Sequence, residues 1–133
     1  MFIFVGLSSL ADTLPSYIGN YAWRSDDNGV AQSVRTAISQ QNGSTTINTS
    51  LTWIPGAAVE IQATVTSDHV RTVVIDSRDC TEITFSFSDS FKNEGVAKLV
   101  LCGDTADLTL DETTMVEPRA VRQYGDYHLT RQP

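Results

Sequence analysis

From residue 45 onward the chain alternates apolar and polar side chains with a period of two, and no other feature restricts its fold so sharply. Successive side chains of a strand point to opposite faces of a sheet, so a half-buried strand shows this alternation, whereas a helix repeats every 3.6 residues. In the stretch TTINTSLTW, Ile47, Leu51 and Trp53 share one face and Thr46, Asn48, Ser50 and Thr52 the other. Pro55-Gly56 turns the chain, and AAVEIQATVT then sets Ala57, Val59, Ile61, Ala63 and Val65 against Glu60, Gln62 and Thr64. After a turn at Ser67-Asp68, HVRTVVI puts Val73 and Ile75 on one face and Val70 and Val74 on the other. A hairpin bounded by two cysteines follows, then a strand around Leu108 and Leu110, and a last pair through Val121, Tyr124, Tyr127 and Leu129.

Eight to ten short strands separated by polar turns predict an all-β fold, an antiparallel sandwich with a jelly-roll-like arrangement. One short helix is expected within it. In DDNGVAQSVRTAISQQNG, Val30, Val34, Ala37 and Ile38 stand at helical spacing, Asp27 or Asn28 suits the start and Asn42-Gly43 the stop. The same residues allow a strand with Val30, Val34 and Ile38 on one face, but Gln32 and Thr36 would then lie between them on that face. The helix, about three turns long, is the reading adopted.

A chain of 133 residues fits one domain, residues 1–133, and buries roughly two thirds of the surface its unfolded form exposes, enough for a core without staples. The opening MFIFVGLSSLADT has the short apolar run of a secretory leader but no basic residue before it, and Phe2, Phe4 and Leu7 read as a first strand or a docked arm. No internal repeat is present, and DETTMVEPR is too short to separate domains.

Net charge of −7, with lysine only at Lys92 and Lys98, opposes nucleic-acid binding, since phosphate contacts need clustered Lys and Arg. The same balance disfavours an anionic membrane surface, and no apolar run approaches the roughly 20 residues that span a bilayer, so membrane insertion is not expected.

The only two cysteines, Cys80 and Cys102, bracket the hairpin CTEITFSFSDSFKNEGVAKLVLC. Matching the apolar faces of its strands sets Thr81 opposite Leu101, Ile83 opposite Leu99, Phe85 opposite Ala97 and Phe87 opposite Gly95. The cysteines then fall opposite each other on the other face, either bridged or as a reduced, packed pair; the compartment decides between the two. Metal binding is not expected, because there is no C-x-x-C pair and His69 and His128 sit in other segments.

No G-x-S-x-G elbow, phosphate loop or Rossmann glycine pattern occurs, so no catalytic residue and no cofactor is assigned and the chain is read as a nonenzyme. Asp76 with Asp79, and Asp104, Asp107, Asp111 and Glu112, match no calcium-loop spacing and read as solvated turn carboxylates. Trp53 shares its face with Ile47 and Leu51 and belongs to the core; Trp23, followed by polar residues, is the candidate for a sugar-stacking surface, with Tyr21, Arg24, Asp26 and Asp27 beside it. Asn42-Gly43-Ser44 and Asn48-Thr49-Ser50 are glycosylation triplets with meaning only in a secreted chain.

Lipocalins and fatty-acid-binding proteins have a suitable length, but GNYAW lacks the Gly-x-Trp spacing of the former and the charge pattern fits neither. The acidic, Thr- and Ser-rich, Lys-poor texture, strand after short strand, with a loosely structured start and the ending HLTRQP, resembles the surface protrusion domain of a small icosahedral RNA-virus capsid protein, as in nodaviruses or tombusviruses. The resemblance rests on composition and strand pattern over the whole chain and transfers no residue. It implies a module at the virion surface that forms a homodimeric spike about a twofold axis, displays loops to a host receptor or glycan, and leaves RNA to a basic arm elsewhere. The rival expectation is a secreted or cell-surface carbohydrate-binding or adhesin domain in the extracellular space.

Overall fold

The computed structural model describes residues 15–24, 33–54, 57–90, 92–114 and 126–133. They form nine antiparallel strands: β1 (Gly19–Arg24), β2 (Ser33–Gln41), β3 (Ser44–Ile54), β4 (Ala57–Val65), β5 (Val70–Ile75), β6 (Arg78–Ser88), β7 (Glu94–Cys102), β8 (Thr105–Thr114) and β9 (Asp126–Arg131). The all-β expectation holds, and the strand number lies in the expected range. All nine belong to one sheet, ordered β4-β3-β2-β1-β9-β8-β7-β6-β5. Every neighbouring pair is consecutive in sequence except β1 with β9, so the connections form a meander without a Greek-key crossover.

The sheet rolls on itself until β4 touches β6. Ile61 bridges to Asp89, the Ser90 amide donates to Glu60 O at 2.9 Å, and the Glu60 amide donates to Ser90 Oγ at 3.0 Å. Asp89 is held for this task, since its carboxylate accepts from the Asn93 amide at 2.9 Å and from Asn93 Nδ2 at 3.2 Å, with both residues buried. The β6–β7 connection therefore fastens one edge of the roll, and β5 is left outside as an overhanging edge.

The inner face is the core. Val34, Ile38, Ile47, Leu51, Val59 and Ile61 from one half meet Ile83, Phe85, Leu99, Leu101, Leu108 and Leu129 from the other, all nearly inaccessible to solvent. These are the residues that the alternation placed on one parity, so β3, β4, β6 and β7 follow the sequence closely. The register of β6 with β7 is the expected one, with Thr81 opposite Leu101, Ile83 opposite Leu99 and Phe85 opposite Ala97.

The expected helix is not formed: residues 33–41 are strand β2, and the only helical turn among the described residues is a 3₁₀ turn at Ser67–His69. The objection to a strand was the polar Thr36 on the apolar face. Thr36 is buried there, but it lies directly opposite Thr49 on β3, and the two hydroxyls share a hydrogen bond at 3.0 Å. Each removes the other's desolvation penalty, so the face behaves as apolar. Asn42 and Gly43, read as a helix stop, have φ of 54° and 81° and make the two-residue β2–β3 hairpin turn, where positive φ at both positions matches the twist of the strands. The expected features at Phe2, Phe4, Leu7, Val30, Gln32, Pro55-Gly56, Val121 and Tyr124 lie outside the described residues.

Candidate functional site

The roll presents two outer faces of different chemistry. On β5–β9 the outward side chains carry charge, including Arg71, Glu82, Lys98, Asp107, Asp111 and Asp126. Arg71 Nε donates to Glu82 Oε1 at 2.7 Å, and His128 Nδ1 pairs with Asp107 Oδ1. His128 and Asp107 are exposed, and among the described residues no hydroxyl or thiol bonds to that imidazole. No group of three His, Cys, Asp or Glu converges to hold a metal among the described residues.

The outward face of β1–β4 is nearly uncharged. Registers bring Asn20, Ala37, Asn48 and Gln62 level in one row across four strands, and Gln132, one residue past the end of β9, extends the row through its amide, which donates to Asn20 O at 2.8 Å. The adjacent row reads Thr130, Ala22, Arg35, Ser50 and Glu60. Among the described side chains of this face only Arg35 and Glu60 carry charge. Ser50 Oγ donates to Glu60 Oε1 at 3.0 Å and orients it. Ala22 and Ala37 are short among longer neighbours, and a depression of about 500 Å³ opens over them, walled by Asn20, Arg35, Asn48, Ser50 and Gln132. A second hollow of about 610 Å³ continues from Arg35 and Ala22 toward Thr52 and Trp23, and a third of about 300 Å³ from Asn48 and Glu60 toward Ser90.

Of the expected binding residues, Tyr21 is buried and points inward; its hydroxyl donates to Tyr17 O at 2.9 Å and the Arg131 guanidinium lies 4.9 Å above its ring. Burial pushes its pKa up, with the nearby Arg131 opposing. Trp23 is half-buried, packs edge-on against Tyr127 at 5.4 Å, and borders the second hollow. The side chains of Arg24 and Trp53 and the whole of Asp26 and Asp27 lie outside the described residues. Asn20, Arg35, Ala37, Gln62 and Gln132 are not singled out by the sequence, because only the strand registers bring them into two adjacent rows of one face.

Cys80 and Cys102 are joined, with Cα atoms 4.7 Å apart, on the outward face of β6 and β7. Of the two states that the sequence left open, the structure has the bridge. No protein family, curated protein or solved structure matches this chain.

Proposed function

We propose that the chain is a noncatalytic assembly and attachment module, the surface protrusion domain of an icosahedral RNA-virus capsid, pairing with a second copy and displaying a recognition face at the virion surface. The observation that carries the reading is β5. It is an edge strand with one neighbour, β6, and Val74 and Ile75 on it are 70% and 40% exposed. An open edge of β-branched apolar residues invites another strand. Antiparallel pairing of β5 with its twofold copy sets Val70 against Val74 and Thr72 against its own copy on one face, with Arg71 against Val73 on the other, a self-complementary set that a closed dimer satisfies.

Sedimentation at micromolar concentration tests it: a dimer is expected, and Val74→Lys is expected to return a folded monomer. A strictly monomeric wild type overturns the pairing. An antibody against the chain that fails to decorate purified virions overturns the placement.

A second reading, a secreted or cell-surface carbohydrate-binding domain, is favoured by the Cys80–Cys102 bridge, since disulfides persist in oxidising compartments. Thiol trapping at the moment of lysis separates the two. Free cysteines in newly made intracellular protein fit the capsid reading, and a bridge present from the start fits the secretory one.

A further inference from the structure

We infer that the outward face of β1–β4 is a binding site for a neutral oligosaccharide, centred on Ala37 and flanked by Asn20, Asn48, Gln62 and Gln132. The inference deepens the recognition half of the reading above and rests on it.

Three observations converge on this face. The first is segregation of charge. In a chain of net charge −7 the outward residues of β5–β9 include Arg71, Glu82, Lys98, Asp107, Asp111 and Asp126 among Thr, Ser and Val, whereas the described outward side chains of β1–β4 are carboxamides, hydroxyls and alanines with one Arg and one Glu. A sheet face kept only for solubility has no reason to lose its charge on one half of the molecule.

The second is shape. Ala22 and Ala37 stand diagonal to each other, and their missing side-chain length leaves a trough that joins the hollows on either side, so the concavity runs across the strands rather than forming one round pocket. The carboxamide row covers four inter-strand steps of roughly 4.8 Å, about 19 Å in all, a length suited to a short linear chain of sugars.

The third is hydrogen-bonding capacity. Each carboxamide offers a donor and an acceptor side by side, which fits vicinal hydroxyls of a pyranose. Among the described residues, the side chains of Asn20, Asn48, Gln62 and Arg35 have no hydrogen-bond partner in the protein, and the Gln132 amide group donates to Thr130 O at 2.9 Å while its oxygen stays open. Arg35 provides a planar donor fork and Glu60, steadied by Ser50, an acceptor two strands away. Acid-bearing glycans fit poorly, because Arg35, the one cation among the described side chains of this face, is balanced by Glu60 within a strongly negative chain.

The test uses the full chain from a host that adds no N-glycans, so that Asn48, the first residue of a glycosylation triplet, stays unmodified. The probe is a printed array of neutral hexose and N-acetylhexosamine oligosaccharides beside sialylated and sulfated ones, followed by calorimetric titration with the strongest neutral ligand. Binding confined to the neutral set is expected. Ala37→Gln, which fills the trough with another carboxamide, and Asn48→Ala, at an exposed position, are each expected to weaken it at least tenfold. Lys98→Ala on the opposite half is expected to leave it unchanged. A blank neutral set, binding to acidic glycans alone, or neutral binding that neither groove variant alters overturns the inference. A dimer with a blank array sinks the glycan site and leaves the assembly reading standing, while a monomer that binds neutral glycans does the reverse. Should Ala37→Gln not fold, Asn48→Ala carries the same decision.

Discussion

The hydroxyls of Thr36 and Thr49 meet at 3.0 Å inside the core, flanked by Val34 and Ile38 on β2 and by Ile47 and Leu51 on β3. Each is satisfied only by the other's presence. Thr36→Val or Thr49→Val alone strands a buried hydroxyl and is expected to cost about 1–3 kcal/mol in urea unfolding. The double Thr36→Val/Thr49→Val variant removes both polar groups with their shapes kept and is expected to unfold near wild type. An additive double variant would show that the pair is not coupled.

The seam at β4 rests on a buried carboxylate. Asp89→Ala leaves the Asn93 amide and its side-chain nitrogen without that acceptor and loosens the turn that presents Ser90 to Glu60. We expect a loss of about 2 kcal/mol, together with faster amide hydrogen exchange at Glu60 and Ser90 than at Leu99 in the centre of β7. Uniform acceleration across the sheet would mean that the seam opens only with global unfolding.

Cys80 and Cys102 close a loop with a sequence separation of 22. The chain-entropy estimate for such a loop is about 3 kcal/mol, an upper value here because the β6–β7 ladder already confines the ends. The Cys80→Ser/Cys102→Ser variant is expected to melt lower but to remain folded with the β6–β7 register intact, as read from cross-strand contacts in solution. A chain that fails to fold without the bridge would contradict a core sufficient by itself.

Tyr127 is buried against Trp23 and its pKa is pushed up to about 12 by that burial. The folded state holds the phenolic proton more tightly than the unfolded chain, whose tyrosines titrate near 10. Stability from this group is therefore complete below about pH 10 and is lost as pH rises toward 12. Denaturation at stepped alkaline pH should show that decline, and Tyr127→Phe should flatten it. Tyr21, shifted in the same direction, leaves a residual slope.

What could be read in advance depended on how far apart the decisive partners lie. The β6–β7 hairpin is legible to the register because both strands alternate strongly, which excludes every odd slip, and among the even ones the observed register also sets Cys80 opposite Cys102. Strand β2 was not, since Val34 and Ile38, four apart, satisfy either period, and the fact that excuses Thr36 lies 13 residues away. In β1, Tyr21 and Trp23 alternate with Asn20 and Ala22, but Ala22 is a weak marker of an outward face, so the parity that turns Tyr21 inward is faint. The carboxamide row was beyond reach for a different reason: residues 20, 37, 48 and 62 come level only when three registers are known together.

Arg131 draws together distant parts of the chain. It donates to Ile18 O at 2.9 Å, Ser16 O at 2.6 Å and Asp104 Oδ1 at 3.2 Å, and a side chain at Gly19 would collide with its guanidinium. The contact to Ile18 spans 113 residues, and only Tyr21–Arg131 and Ala22–Thr130 join β1 to β9. The other strand pairings connect sequence neighbours and can zip up as they leave the ribosome, but this one must wait until residue 131 has been made. Strand β1 is thus born with one edge open, and its shielding until β9 arrives is a problem of timing that the nascent chain has to solve.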